Sequence, residues 1–180
     1  KQVFCQWYHN DGIYHSGKNE VVDPELMDEK FEREIKFLQV MRDEYPQHVP
    51  SYSLDYEYRK IYLEIDGIDF WNKADCKIEN YDKVLPDWQE QMLEILRAHK
   101  ELGLHKYSMH PSSYFIVDCK LKSMNYFFTY YNSEPNVSIQ EVESHLSVNR
   151  REKMKQHLET LNIQWNTPQT WETMDKLCWN

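Results

Sequence analysis

Glycine is scarce, with 4 residues in 180, and no G-x-G-x-x-G occurs, so the glycine loop that cradles phosphates in many nucleotide-binding proteins is missing. Cysteine is equally sparse. Cys5, Cys76, Cys119 and Cys178 are scattered with no C-x-x-C spacing, which suggests neither a disulfide framework nor a zinc knuckle, and leaves free, mostly buried thiols as the expectation. No apolar run approaches the ~20 residues needed to cross a bilayer, and the stretch from Lys1 has no apolar signal-peptide core, so the expected setting is cytoplasmic, with no membrane partner. Positive charge is the minority: 21 Lys plus Arg stand against 30 Asp plus Glu, a net charge of −9. With no tight basic cluster, that balance argues against binding a phosphate backbone, and no nucleic-acid partner is expected.

What is present is an aromatic-rich chain under a polar surface, with 14% Phe, Trp and Tyr and 41% hydrophobic residues at a mean hydropathy of −0.84. This length and composition suit one compact domain or two small lobes sharing a core. Residues 3–8 form a β-prone run, followed by His9-Asn10-Asp11-Gly12, whose Asp-Gly pair favours a tight hairpin turn with a second strand from Ile13. Asp23-Pro24-Glu25 reads as an N-cap, an N1 proline and an acidic first turn, and Phe31, Ile35, Leu38 and Met41 then recur at helical spacing. The helix must stop before Tyr45-Pro46; residues 49–55 and 60–65 read as antiparallel strands before the Asp66-Gly67 turn.

From Pro86 onward Trp88, Met92 and Leu96, flanked by Ile95 and Leu102, predict a helix stopped by Gly103. Residues 115–117 and 121–128 predict a small hairpin around Asp118-Cys119-Lys120. The capping box Ser138/Glu141, the stripe Met154, Leu158, Leu161, and Thr167-Pro168 ahead of Trp171, Met174 and Cys178 predict further helices. Both methionine-bearing stripes read as core packing. The order is hairpin, helix, two strands, then a helical half with one hairpin: an α+β pattern with segregated halves.

Phe31-Glu32-Arg33-Glu34-Ile35-Lys36-Phe37-Leu38, His48-Val49-Pro50 and Ile61-Tyr62-Leu63-Glu64-Ile65-Asp66-Gly67-Ile68-Asp69-Phe70 together resemble the small lobe of the protein-kinase-like superfamily, from its helix to the strand entering the interlobe hinge. Leu96-Arg97-Ala98-His99-Lys100-Glu101-Leu102-Gly103-Leu104 resembles the helix before the catalytic loop of aminoglycoside and choline phosphotransferase relatives. Met109-His110-Pro111 and Phe115-Ile116-Val117-Asp118 fall where those relatives carry the loop and the next strand. The matched span runs roughly from residue 31 to 128. The resemblance implies a compact two-lobed protein-kinase-like fold, with a small β-rich lobe at 1–68 and a mainly helical lobe at 69–180, and a cleft near Asp66 to Asp69.

In that family an Asp accepts the substrate hydroxyl proton while an Asn and a second Asp hold magnesium against ATP. Aligning His110-Pro111 with the His-Gly-Asp-x-His-Pro pattern puts Lys106 at the first His, Ser108 at the base, and the family's Asn near Ser113. Lys120 to Phe127 resembles the stretch ending in Ile-Asp-Phe, with Asn125 at the metal-binding Asp. A serine hydroxyl is no carboxylate base near neutral pH, and Asn125 offers a metal a neutral oxygen. The small-lobe lysine that would pair with Glu34 is either replaced at Gln6 or shifted to Lys18, and Glu34 on an exposed helix face has a solvated residue as its equal alternative.

The resemblance therefore implies a degenerate kinase-like domain without phosphotransferase activity, a binding or regulatory module for a protein or small-molecule ligand. Glu34, Glu64 and Asp66 would line any retained nucleotide cleft. The alternative is a divergent small-molecule phosphotransferase using ATP and magnesium, with Asp118 or Glu34 taking over the metal. No dedicated metal ligand set is assigned. The run from Gly12 to Asn19 approaches the phosphate-loop pattern, but Asn19 replaces the hydroxyl residue and Glu20-Val21-Val22-Asp23-Pro24 is no helix start, so a plain hairpin loop is expected. The pairs His9/His15 and His105/His110 lack a zinc signature's spacing and acidic partner.

Overall fold

In the computed structural model, residues 3–15, 18–20, 24–106, 108–131, 133–134, 152, 156–157 and 159–160 are described. Five strands make an antiparallel sheet: β1 (Val3–His9), β2 (Gly12–His15), β3 (Lys18–Glu20), β4 (Tyr52–Asp55) and β5 (Lys60–Glu64), in the order β3-β2-β1-β5-β4. The β1–β2 hairpin turns at Asn10-Asp11, with His9 opposite Gly12. Glycine is required there, because its φ is 142°. β1 alternates strictly, with Phe4, Gln6 and Tyr8 buried on one face and Cys5, Trp7 and His9 on the other, so one pleat face meets the core. Gly12–His15 and Lys18–Glu20 are paired strands, so the described residues from Lys18 form a strand where a phosphate loop would need a helix start.

Pro24–Leu26 is a 3-10 turn leading into α1 (Met27–Glu44); the expected cap Asp23 lies outside the described residues. Phe31, Ile35, Leu38 and Met41 are buried, as their spacing demands, but Met27, Lys30, Glu34 and Phe37 are buried too. The helix is thus enclosed on two sides. It packs on β1 and also on β9 (Thr129–Tyr131). Arg33 lies over the Tyr130 ring at 4.1 Å, Lys30 over Phe128 at 4.3 Å and Lys36 over Tyr131 at 4.9 Å, a row of cation–π contacts along that seam.

Beyond β5 come two single-turn helices, α2 (Phe70–Lys73) and α3 (Tyr81–Val84), then α4 (Trp88–Glu101). The carboxylate of Asp69 caps α2 by accepting from Asn72 N at 2.9 Å. Gly103, with φ 65°, ends α4. β6 (Leu104–Lys106) pairs with β9, and β7 (Tyr114–Val117) pairs with β8 (Lys120–Ser123). The second strand of this hairpin stops at Ser123, short of the expected residue 128, because Asn125 takes a left-handed φ of 63° and turns the chain toward β9.

One continuous core unites the sheet, α1, α4 and the β7–β8 hairpin, with Phe4 touching Phe115 and Tyr8 touching Phe127 across the halves. The architecture is mixed α+β with antiparallel sheets. None of the described cysteines is buried, contrary to expectation: Cys5 is half-buried, and Cys76 and Cys119 sit exposed in turns at positive φ, where little chain covers them. No helix among the described residues is long and apolar enough to cross a membrane. The helices expected from Ser138/Glu141, Met154/Leu158/Leu161 and Thr167-Pro168 lie outside the described residues; Glu152, Gln156, His157, Glu159 and Thr160 are helical.

Candidate functional site

Four of the positions singled out in the sequence converge where β6, the Pro111–Ser113 turn and the end of β8 meet. Ser108 Oγ and Ser113 Oγ are 3.0 Å apart, Asn125 Nδ2 donates to Ser113 Oγ at 3.0 Å, and Lys106 Nζ donates to the carbonyl of Ser108. Local folding places each of them. The Ser113 carbonyl accepts from Met124 N at 2.9 Å, closing the mouth of the β7–β8 hairpin, and the left-handed backbone at Asn125 aims its amide back at Ser113. From the opposite half, Gln6 Nε2 on β1 donates to Asn125 Oδ1 at 3.2 Å. Gln6 is fully buried, and its strand is the sheet's centre, whereas Lys18 belongs to edge strand β3.

Glu34 corrects the solvated-face expectation: it is wholly buried in the second apolar side of α1. Burial pushes its carboxyl well above the usual carboxylate range. The charge of Lys106 is the main opposing influence, with the backbone amides of Tyr126 and Phe127 and the Tyr8 hydroxyl acting in the same sense. Burial likewise pulls the Lys106 ammonium down, and Glu34 is what holds it up. Lys106 Nζ also lies 5.4 Å from the Tyr114 ring centroid and 5.3 Å from that of Tyr126. A fully buried carboxyl on α1 and a fully buried amine on β6 therefore act on each other, each favouring the other's charged form against burial. His99 on α4 completes the surroundings; its Nε2 is 2.9 Å from Tyr126 Oη, and burial, with the nearby Lys106 and His48, keeps the imidazole neutral.

Glu64 and Asp66 stand apart from this chain of hydrogen bonds. Glu64 ends β5 opposite Val3, and exposed Asp66 pairs with Lys73 at 3.4 Å. Asp118 is exposed in the β7–β8 turn. Since Val117 pairs with Lys120 and Tyr114 with Ser123, the hairpin's length separates Asp118 from Ser113 by about 10 Å of strand rise. His9 pairs with Asp11 at 3.3 Å, and no group of three His, Cys, Asp or Glu among the described residues could hold a metal ion.

The hydrogen-bonded set Gln6, Asn125, Ser113 and Ser108 is neutral throughout. It can orient a loop and bridge two halves, but it offers neither a carboxylate to take a proton nor an anionic metal ligand. The roles of Gln6 as the bridge and of Lys106 as the partner of Glu34 escaped sequence reasoning. The only available signal was that Gln6 alternates in phase with buried Phe4 and Tyr8. Comparison with known proteins gave no family model that matches the chain and no curated protein that matches it.

Proposed function

We propose that the chain is a degenerate protein-kinase-like domain that has lost phosphotransferase activity and acts as a binding or regulatory module. The observation that carries this reading is the neutral bridge Gln6–Asn125–Ser113–Ser108: the positions matching a proton-accepting Asp and two magnesium ligands are neutral side chains hydrogen-bonded to one another. The sheet, α1, α4 and hairpin order, with Glu34 turned into the molecule beside Lys106, supports the same resemblance. In this reading Lys106 takes over the electrostatic role of the missing small-lobe lysine and ties α1 to β6.

The neutral bridge weighs against the divergent phosphotransferase, since Glu34 is engaged with Lys106 and Asp118 sits at the far end of the hairpin. Loss of a general base alone costs roughly 100- to 10,000-fold in rate, and removal of a metal carboxylate compounds it. The test is magnesium-dependent ATP turnover with common kinase and aminoglycoside substrates, the parent assayed beside a Ser108→Ala, Asn125→Ala variant. We expect no turnover above background from either. Turnover by the parent that the variant loses would replace this reading with an unconventional phosphotransferase.

A further inference from the structure

The sheet ends at β4, and hydrogen-bond parity decides which of its residues face outward. Glu64 N donates to the Ser51 carbonyl at 2.9 Å, and the strands continue with Tyr52 opposite Leu63, Ser53 opposite Tyr62, Leu54 opposite Ile61 and Asp55 opposite Lys60. Antiparallel partners alternate between bonded and non-bonded pairs, so Ser51, Ser53 and Asp55 bond to β5, while Tyr52 and Leu54 turn their N–H and C=O groups to the open edge. Among the described residues no backbone bond reaches those groups. Pro50 faces the same way and has no N–H to offer, and beyond Asp55 the chain enters the 56–59 turn. The bonding edge is therefore confined to Tyr52 and Leu54, with a donor and an acceptor on each.

We propose that this edge joins a second copy of the chain, β4 pairing antiparallel with β4 about a two-fold axis at Ser53, so that the two sheets become one. The strand's own sequence selects both the occupant and the register. With the axis at Ser53, Tyr52 meets Leu54 of the second copy and Leu54 meets its Tyr52, so every edge group bonds and none is left over. An axis at Tyr52 would set Leu54 against Pro50 of the second copy and forfeit a donor, and an axis at Leu54 would set Tyr52 against Tyr56 in the turn. The side chains agree with the Ser53 register. On the solvent face Ser53 meets Ser53 and Asp55 meets Ser51, so the carboxylate faces a hydroxyl donor and no like charges stand opposite each other. On the other face Tyr52 and Leu54, already half-buried against the core, cover one another. Past the strand ends Tyr56, 62% exposed, comes opposite Pro50 of the second copy. A seam without opposed charges matters for this chain, because two copies at −9 each already repel.

The experiment is sedimentation velocity of the full chain over roughly 10 to 500 µM, a range set by the weak affinity of so small a contact, in about 0.5 M salt to screen that repulsion. The parent's mass should rise from 22.0 kDa toward twice that value with concentration. Ser53→Lys, at an exposed position, sets two ammonium groups against each other on the axis and should stay monomeric. Register is read by oxidative cross-linking. Ser53→Cys places its thiol opposite its own copy at a Cα separation of about 4.5 Å, within disulfide reach, whereas Ser51→Cys leaves the two thiols about 14 Å apart along the strands. Ser53→Cys should cross-link well above the background of the native cysteines, and Ser51→Cys should not. A parent that stays monomeric overturns the proposal, even if β4 takes up some extended peptide instead. So does a Ser53→Lys variant that associates as the parent does, or cross-linking at position 53 no greater than at position 51.

Discussion

At the residue scale the costliest arrangement is the enclosure of Glu34 and Lys106. Each group has been stripped of water, which favours its neutral form, and the charge of the other is the main influence that opposes this. Replacing one alone leaves a buried charge without compensation. Lys106→Met should therefore cost about 3 to 5 kcal/mol in urea denaturation, and Glu34→Gln a comparable amount, while the double variant should lose clearly less than the sum. A simple sum of the two losses would show that the charges do not act on each other. His99 adds a pH dependence of definite sign. Its folded-state pKa is depressed, so its contribution is fully present above about pH 6.5, the unfolded value, and is lost as pH falls below it, by up to ~1.4 kcal/mol per pH unit for one imidazole. On going from pH 7 to pH 5, the parent should lose more stability than His99→Gln does, the difference being read by denaturant titration at each pH.

At the element scale the β7–β8 hairpin depends on one side chain of a neighbouring helix. Gln91 of α4 accepts from Leu121 N at 2.8 Å and donates to the Cys119 carbonyl at 3.2 Å, so it satisfies both a buried amide and the turn. Gln91→Leu should cost about 1 to 3 kcal/mol by thermal melting, because it leaves that amide unpaired. The turn itself places Asp118 and Cys119 at φ 51° and 59°, a conformation that Asn-Gly adopts with less strain. Substituting Asn-Gly there should raise stability by about 1 kcal/mol. Elements with a strong local period were legible: α4 from Trp88, Met92 and Leu96, α1 from Phe31, Ile35 and Leu38, and the first hairpin from Asp11-Gly12. The short pair β6–β9 was not, since three-residue strands joined across more than twenty residues carry no local pattern. The second buried side of α1 was hidden for a different reason. Lys30 and Glu34 break the apolar stripe, and only the rings and charges brought by later residues make their burial tolerable. Of the candidate site, the nearness of Ser108, Ser113 and Asn125 followed from the order of motifs, whereas the reach of Gln6 across 119 residues depends wholly on tertiary packing.

At the scale of the whole molecule, the sheet and the helical half are joined through the Gln6–Asn125 hydrogen bond, the aromatic contacts of Phe4 and Tyr8, and the Lys122 Nζ bond to the Gln47 carbonyl at 2.6 Å. Ser113→Ala removes the hydroxyl shared by Ser108 and Asn125 in the bridge, and the expected outcome is a loss of about 1 to 3 kcal/mol, read by denaturant titration. Retention of full stability would mean that the bridge is incidental to how the halves hold together. The position of β1 also bears on how the chain is made. As residues 3–9 leave the ribosome they can zip onto β2 at once, but their other edge waits for residues 60–64, with α1 and β4 still to be synthesised in between. For that interval a strand rich in Phe, Trp and Tyr presents bare amides and carbonyls to any neighbouring chain. Nascent polypeptides stalled before residue 60 should therefore be the ones that clump or recruit a chaperone, and those stalled well past residue 64 should not.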